Sequence, residues 1–541
     1  MALQVDSPFL EETKDELVSR FTYHRNQIDQ LANGQIRVQP QQHEYRFKTK
    51  IQPRRTGLML VGWGGNNGST VTGAVIANRE KMSWQTKKGS QHANYWGSIT
   101  QATTVHIGYD GTRQIHVPFN KILPMVDPNS LVIDGWDINS ANLAEAMKRA
   151  QVYEPELQAK LMPYLAKLQP RPSVYYPDFI ASNQENRANH LLPGTNKAQH
   201  LCQIRKDIAD FRAKHKLECI IVLWTANTER FAEVRTGLNS SGSELLESIA
   251  RSDPEVAPSH IFAVAAIQEG AHFINGSPQN SLVPGVVDLA ASHGVFVGGD
   301  DFKSGQTKLK STLVDFLVSS GLKPESIVSY NHLGNNDGKN LSEQRQFRSK
   351  EITKSSVVDD MVESNKILYP TGKRPDHVIV IKYVPFVSDS KRAMDEYTSS
   401  IFMGGLNTLV IHNTCEDSLL AAPLILDLAL LTELCSRISY STDCGNSFKS
   451  FHPVLSPLSC LLKAPVVPEG TPVNNALFKQ LRSLTKLLCA CAGLASDCDV
   501  QLELFTDLSQ EKVEKGKQIY QNGFVCNGDV HLTNGHACLT D

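Results

Sequence analysis

The sequence predicts an α/β protein built on a parallel sheet with helices on both faces. Three observations carry that prediction. Short runs rich in Val, Ile and Leu recur along the chain and end in Gly, Asn or Asp: LMLVG (58–62), SLVIDGWD (130–137), CIIVLWTAN (219–227), IFAVAAI (261–267), VFVGGDD (295–301), SIVSYN (326–331), HVIVIKYV (377–384) and TLVIHN (408–413). Near-continuous apolar runs mark strands buried on both faces, whereas a half-buried strand alternates. Helical stretches follow several of the runs, and a glycine-rich turn follows the first.

The elements fall into five segments. Residues 1–55 are polar and read as an N-terminal arm, with RVQPQQHEYRFKTK extended. Residues 56–307 carry the first strand–helix alternation. From Lys308 to about 417 the spacing changes: the later strands alternate with the helix candidates TKLKSTLVDFLVSSG (307–321), TKSSVVDDMVES (353–364) and DEYTSSIFMGG (395–405). That pattern predicts a second, α+β unit inserted in the first. Residues 418–508 return to the first unit, opening on the apolar SLLAAPLILDLALLTEL (418–434), which reads as a buried helix because Pro423, Asp427 and its length suit no bilayer span. Residues 509–541 are polar and read as a mobile tail.

Bulk composition narrows the function classes. A chain of 541 residues exceeds the size at which one core stops growing, so more than one domain is expected. A formal net charge of −2 gives no global pull toward nucleic acid or membrane. The eleven cysteines show no framework spacing and no CxxC, which suits reduced thiols in a cytoplasmic protein. The N-terminus carries early acids and no apolar core of signal-peptide length. HExxH, GxSxG and cysteine–histidine zinc spacings are missing, so no metal site is expected.

Ligands of open parallel sheets gather beyond the carboxyl ends of the strands. After the first run come Gly62, Gly64, Gly65, Asn66, Asn67 and Gly68, then the helical STVTGAVIANRE. Free amides at such a helix start hold a pyrophosphate. The spacing departs from G-x-G-x-x-G: Asn67 stands where the third glycine belongs, and Gly68 comes one residue late. Asn tolerates left-handed backbone, so a cofactor turn and a purely structural turn both remain open. Asp134 and Asp137 end the next strand. Ala226, Asn227 and Thr228 follow the third run, either lining a cleft or capping a helix.

VFVGGDDFKSGQTKLKSTLVDFL (295–317) is sharper. Ser304, Gly305, Gln306 and Thr307 open a helix with hydroxyls and free amides, and Lys308 adds charge, which makes an anion seat or a plain serine cap. The order is not that of a P-loop, so a phosphate on a substrate fits better than a triphosphate. Asn331, Asn335, Asn336 and Asp337 form a dense polar loop, and Lys350 and Lys354 share one face if their stretch is helical. Later strands end in Asp389 and Lys391, then in Asp417 and Ser418, and Lys463 sits in the apolar LLKAP. A desolvated lysine has a lowered pKa and serves as a base; on the surface it is only a solvated charge.

Nine motifs in order resemble the myo-inositol-1-phosphate synthase family: GWGGNNGST, LWTANTERF, NGSPQN, GGDDFKSGQTK, SYNHLGNNDG, QFRSKEITKSS, IKYVPFVSDSK, HNTCEDSLLAAP and LLKAP. The resemblance spans roughly residues 20 to 500. It implies a Rossmann-type NAD-binding domain with an inserted α+β catalytic and tetramerisation domain. It implies conversion of D-glucose 6-phosphate to 1D-myo-inositol 3-phosphate with NAD as a returned, not consumed, cofactor: oxidation at C5, enolisation, attack of C6 on the C1 aldehyde, and re-reduction. This opens inositol and phosphatidylinositol synthesis.

Residue by residue, the resemblance places Gly65, Asn66, Asn67 and Gly68 on the NAD pyrophosphate and Asp137 on the adenosine ribose. Ser173, Gln184, Arg187, Thr225, Ala226, Asn227, Thr228, Gly276 and Ser277 join the cofactor set. Ser304, Gly305, Gln306, Thr307 and Lys354 would hold the substrate phosphate. Asp301, Asn331, Lys350, Lys354, Lys391 and Lys463 would do the chemistry. Asn335, Asn336, Asp337, Asp389, Asp417 and Ser418 would set lysine charge and the nicotinamide pocket, which Asp301, Ser304 and Lys350 also touch. The working assignment gives Lys350 the C5 oxygen, and Lys391 and Lys463 the enolate and aldol oxyanions. A simple NAD-dependent sugar-phosphate dehydrogenase is the competing reading, and a non-catalytic NAD-binding scaffold the third. The resemblance also implies a cytoplasmic homotetramer that binds neither nucleic acid nor membrane.

Overall fold

Two sheets of different make-up position the site. The structure is a computed structural model and describes residues 3–442 and 447–495. The expected tail, 509–541, and the last part of the return segment, 496–508, lie outside the described residues.

The first sheet has six parallel strands in the order Arg171–Pro172, Val132–Asp137, Thr56–Val61, Cys219–Trp224, His272–Asn275 and Val297–Gly298. Thr56–Val61 and Cys219–Trp224 are buried along their whole length, as continuous apolar runs require. Successive side chains feed opposite cores. Leu58, Leu60, Ile221 and Leu223 join the cluster holding Leu424 and Leu428, whereas Met59, Val61, Ile220 and Val222 join that of Ile204, Ile208 and Ile261. The chain runs outward from Thr56–Val61 to Val132–Asp137, then crosses to Cys219–Trp224 on the other side. A ligand crevice forms at that switch.

The second sheet has four strands in the order Asp376–Tyr383, Lys323–Leu333, Ser390–Ser400 and Leu406–Glu416. The first pair is parallel and the other two antiparallel. Residues 16–50 are more than an arm. Glu16–Gln30 and Ile36–Lys50 form an antiparallel hairpin with 15 residues in each strand, and Ile438–Thr442 pairs with its second strand.

Three elements depart from expectation. IFAVAAI lies in the helix Pro258–Gln268, where positions 258 to 267 are all buried. A helix apolar all round carries no 3.6-residue stripe, so its sequence mimics a buried strand. DEYTSSIFMGG is no helix: Asp395 to Ser400 complete the strand Ser390–Ser400, whose burial alternates residue by residue, and a tight turn takes the rest. The four-residue strand His272–Asn275 is too short to announce itself. The apolar helix Asp417–Cys435 is long and apolar enough to cross a membrane, yet 83% of it is buried within the fold. Its inward Asp427 is met by Ser98 Oγ, Thr100 Oγ1 and the Ile99 and Thr100 amides at 2.6–3.0 Å.

Candidate active site

The glycine turn is built by close approach. Gly62 has φ +90° and a Cβ there would stand 2.7 Å from the Ala226 Cα, so only glycine fits. Gly65 precedes the helix Asn66–Arg79 and no side chain caps its first amides. Those amides are therefore open to an anion. Gly68 works differently. It lies inside the helix, and a Cβ there would fall 2.3 Å from the Trp63 carbonyl oxygen. It seats the helix on the turn, and as the third residue of that helix it leaves its own amide among those open to an anion.

A cleft of about 360 Å³ runs from this turn across the strand ends. That volume lies in the range of cofactor and substrate sites. At one end stand Asp137, Ser173, Arg187 and Arg149; at the middle Thr225, Ala226, Asn227, Gly276 and Ser277; at the far end Asp301, Ser304, Lys350, Lys391, Asp417 and Lys463. Two polar atoms on its wall, Thr225 Oγ1 and Asn227 Nδ2, are buried without a hydrogen-bond partner among the described residues. A buried polar group left unpaired is costly, and its pairing by a ligand relieves the cost. Together with the uncapped helix start, these atoms fit a dinucleotide such as NAD. Burial pushes the Asp137 carboxyl above its ordinary range, against the pull of the Asn139 amide and Arg187. A sugar hydroxyl would find a strong acceptor there.

The polar loop ties the two sheets together at this cleft. Asp337 accepts from the Thr228 amide at 2.8 Å and its hydroxyl at 2.9 Å. Asn336 Nδ2 donates to Gln184 Oε1 and Asn227 Oδ1. Asn335 caps the short helix that follows, its Oδ1 accepting from the Gly338 amide at 2.8 Å. Asp389 accepts from Ser418 Oγ at 2.7 Å, the Ser418 amide at 2.9 Å and Asn66 Nδ2 at 3.2 Å. Gln184, Thr228, Asp389 and Ser418 thus stand behind the cleft wall and hold the residues that form it.

At the far end Asp301 is the hub. Its carboxylate lies 2.9 Å from Lys350 Nζ, 2.9 Å from Thr353 Oγ1 and 3.3 Å from Lys463 Nζ. The Lys463 amide donates to the Asp301 carbonyl at 2.7 Å, which fixes the two segments in register. Lys350 and Lys354 sit on the helix Gln344–Ser355, four residues apart on one inward face. Lys354 donates to Asn331 Oδ1 at 2.8 Å and Gln306 Oε1 at 3.0 Å. Lys391 Nζ is 3.7 Å from Asp417. Ser304 occupies the N-cap of the helix Gly305–Ser319 yet caps none of its amides. Gly305, Gln306 and Thr307 form the first turn of that helix, with Gln306 and Thr307 buried.

Electrostatics divide the lysines. Burial alone would raise Asp301, but the charges of Lys350 and Lys463 override it and hold the carboxyl at about 2. Burial lowers Lys350, and Asp301 and Asp337 more than reverse this, so its ammonium is held above the usual lysine range. Lys463 is lowered to about 7, by burial first and by Lys350 and Lys391 against the pull of Asp301. Lys354 falls well below its ordinary value through burial and four neighbouring lysines, 391, 463, 350 and 310. One cluster therefore holds a fixed cation, a group poised near neutrality and an amine short of charge.

Several lining residues carried no local signal, among them Arg149, Tyr175, Tyr383 and Ser388. Two more buried lysines, Lys303 and Lys310, flank the anion seat, each hydrogen-bonded to neutral groups among the described residues: Lys303 to the Asn475 carbonyl and Gln480, and Lys310 to Ser329 and His377. Lys308, the cation expected there, is absent from the cleft wall.

An NAD-binding family model described as myo-inositol-1-phosphate synthase matches residues 56–489. Inositol-3-phosphate synthase 1 of Rattus norvegicus is 59% identical over 546 residues, covering 98% of this chain and 97% of that protein. The Homo sapiens protein of the same name is 58% identical over 500 residues, covering 92% of this chain and 89% of its own. The crystal structure of an inositol-3-phosphate synthase from Caenorhabditis elegans superposes with a TM-score of 0.92 at 63% identity, over 94% of this chain and 99% of that one.

Proposed function

Because the chain belongs to the myo-inositol-1-phosphate synthase family, we propose a division of labour among its lysines. The protein is an NAD-dependent isomerase of the intramolecular-lyase kind that acts on a sugar phosphate. Its reaction turns D-glucose 6-phosphate into 1D-myo-inositol 3-phosphate. NAD, when bound, supplies a hydride acceptor and returns the hydride, so the sum is redox-neutral.

The observation that carries the reading is the Asp301 bridge between Lys350 and Lys463, in the same cleft as the dinucleotide turn. Oxidation at C5 needs a base for the C5 hydroxyl proton, and the later ring closure needs cations beside each oxygen that becomes anionic. Lys463, lowered to about 7, takes the proton. Lys350, held charged by Asp301 and Asp337, is a poor base and a good partner for an oxyanion. This exchanges the roles of Lys350 and Lys463 relative to the working assignment from sequence. Lys391, beside Asp417, serves the aldol oxyanion. The open amides after Ser304, with Gln306, Thr307 and Lys354, seat the phosphate. Burial of Asp301, Lys354, Lys391 and Lys463 strengthens the charge interactions among them.

A cytoplasmic homotetramer is the assembly we assign. The edge strand Leu406–Glu416 exposes Leu406 and Val410, and the adjoining turn exposes Phe402 and Met403 at 89% and 86%. Such an apolar strip on a sheet edge suits pairing with a second copy. Light scattering at the mass of a monomer would overturn this.

A single-turnover experiment tests the lysine roles. Lys463→Ala with excess NAD and glucose 6-phosphate should give no burst of reduced nicotinamide, because the first proton is never removed. A burst of normal amplitude and rate followed by arrest would return the C5 oxygen to Lys350.

A further inference from the structure

Behind the phosphate seat lies a buried carboxylate with no part in the chemistry above. Asp395 is 2% exposed and stands on the inner face of the strand Ser390–Ser400, the face that also carries Lys391 and Tyr397. It accepts from Gln306 Nε2 at 2.5 Å and from Tyr397 Oη at 3.0 Å. Across the strand pair it faces Ser329, whose hydroxyl accepts from Lys310 Nζ at 2.7 Å.

From this geometry we infer that Asp395 is a positioning residue: it fixes which way the Gln306 amide faces, and so what Lys354 meets when a sugar phosphate binds. The inference rests on the reading of residues 304–307 and Lys354 as the phosphate seat.

An amide has two ends of nearly equal shape but opposite polarity. Gln306 gives its N–H to Asp395 and its Oε1 to Lys354 Nζ. A flip would set N–H against N–H at Lys354 and oxygen against carboxylate at Asp395. A carboxylate, which has no proton to donate, forbids that arrangement; a side chain with both polarities would not. Tyr397, two residues along the strand, fixes Asp395 in turn through its hydroxyl.

The second acceptor of Lys354 is locked in the same manner. Asn331 Nδ2 donates to the Val380 carbonyl at 3.2 Å, which points Asn331 Oδ1 toward Lys354. With both acceptors fixed, and with an incoming anion favouring the charged form of Lys354, its third N–H has one direction left, toward that anion. A buried charge bonded to neutral donors is a costly way to fill a core, and an apolar side chain of that size would pack more cheaply. Control of orientation is what the cost secures.

A double-mutant cycle on the full-length chain at saturating NAD tests this. Gln306→Ala should raise KM for glucose 6-phosphate about tenfold, with the Kd for NAD unchanged by fluorescence quenching. Asp395→Ala should raise it by a similar factor, and the pair should exceed Gln306→Ala alone by less than about twofold, because Asp395 acts through Gln306. Factors that multiply, or a KM unmoved by Asp395→Ala, would overturn the inference while leaving the phosphate seat intact. A KM unmoved by Gln306→Ala would remove the seat and the inference with it.

Volume-conserving variants give the same answer where Asp395→Ala fails to fold. In Asp395→Asn the new amide can keep its oxygen on Gln306 only while its N–H donates to the Tyr397 hydroxyl. Asp395→Asn and Tyr397→Phe should each raise KM by less than about twofold, and the two together by about tenfold. A double variant no worse than the product of its singles would contradict the orientation role.

Discussion

Asp301→Asn is the substitution that separates charge from shape at the hub. The side chain keeps its volume and its bond to Thr353 but loses the negative charge 2.9 Å from Lys350 and 3.3 Å from Lys463. With an effective dielectric constant of about 20, one charge pair at 3.3 Å is worth about 5 kcal/mol before compensation. Lys463 titrates at about 7 with that partner present, so removal should bring it to about 5 or below. In the parent enzyme kcat/KM should rise with pH through about 7, as Lys463 becomes neutral and able to accept a proton. In Asp301→Asn that limb should move acidward by at least about two units, and kcat should fall about 100-fold as Lys350 loses the partner that keeps it charged.

Stability follows the same carboxyl. Its folded value of about 2 is depressed from the unfolded value of about 3.9. The resulting stabilisation, about 2–3 kcal/mol, is present above about pH 4 and lost as pH falls through about 2. The assay is a pH series of steady-state rates on parent and variant, with denaturation curves at each pH. An acid limb that stays near 7 in Asp301→Asn would refute the assignment of Lys463 as the poised base.

Two further outcomes follow from packing and burial. Gly68→Ala puts a methyl 2.3 Å from a main-chain oxygen, so the helix Asn66–Arg79 must shift, at a cost of about 1–3 kcal/mol and with weaker NAD binding; unchanged thermal melting would contradict this. Lys303, fully buried, is lowered to about 7 against about 10.4 unfolded, so between those values the unfolded chain holds one proton more and rising pH favours folding. The stability of the parent relative to Lys303→Met should therefore grow by about 2 kcal/mol from about pH 7 to about pH 9, and a pH-independent difference would mean that the buried lysine keeps its charge.

What was legible in the sequence had a local cause. The strand Cys219–Trp224 and the turn at Gly62 announce themselves because apolar runs and glycines act where they stand. That Lys350 and Lys354 share one helix face follows from their spacing alone, whereas the inward turn of that face appears only in the fold. The helix Pro258–Gln268 was hidden because burial on every side erases its period. Asp395 was hidden because its partner, Gln306, is 89 residues away, and only the second sheet brings them together. The charge states of the lysines were hidden for the same reason. Lys350 and Lys463 are alike as residues, but Asp301 and Asp337 outweigh burial at Lys350, whereas burial with Lys350 and Lys391 nearby outweighs Asp301 at Lys463.

One cleft both borrows and returns a hydride around a ring closure. Turnover with NAD far below the concentration of glucose 6-phosphate tests it most directly. Many molecules of inositol phosphate per NAD are expected, with no build-up of reduced nicotinamide beyond the enzyme-bound amount. One oxidised sugar phosphate per NAD, with NADH accumulating to match, would contradict it.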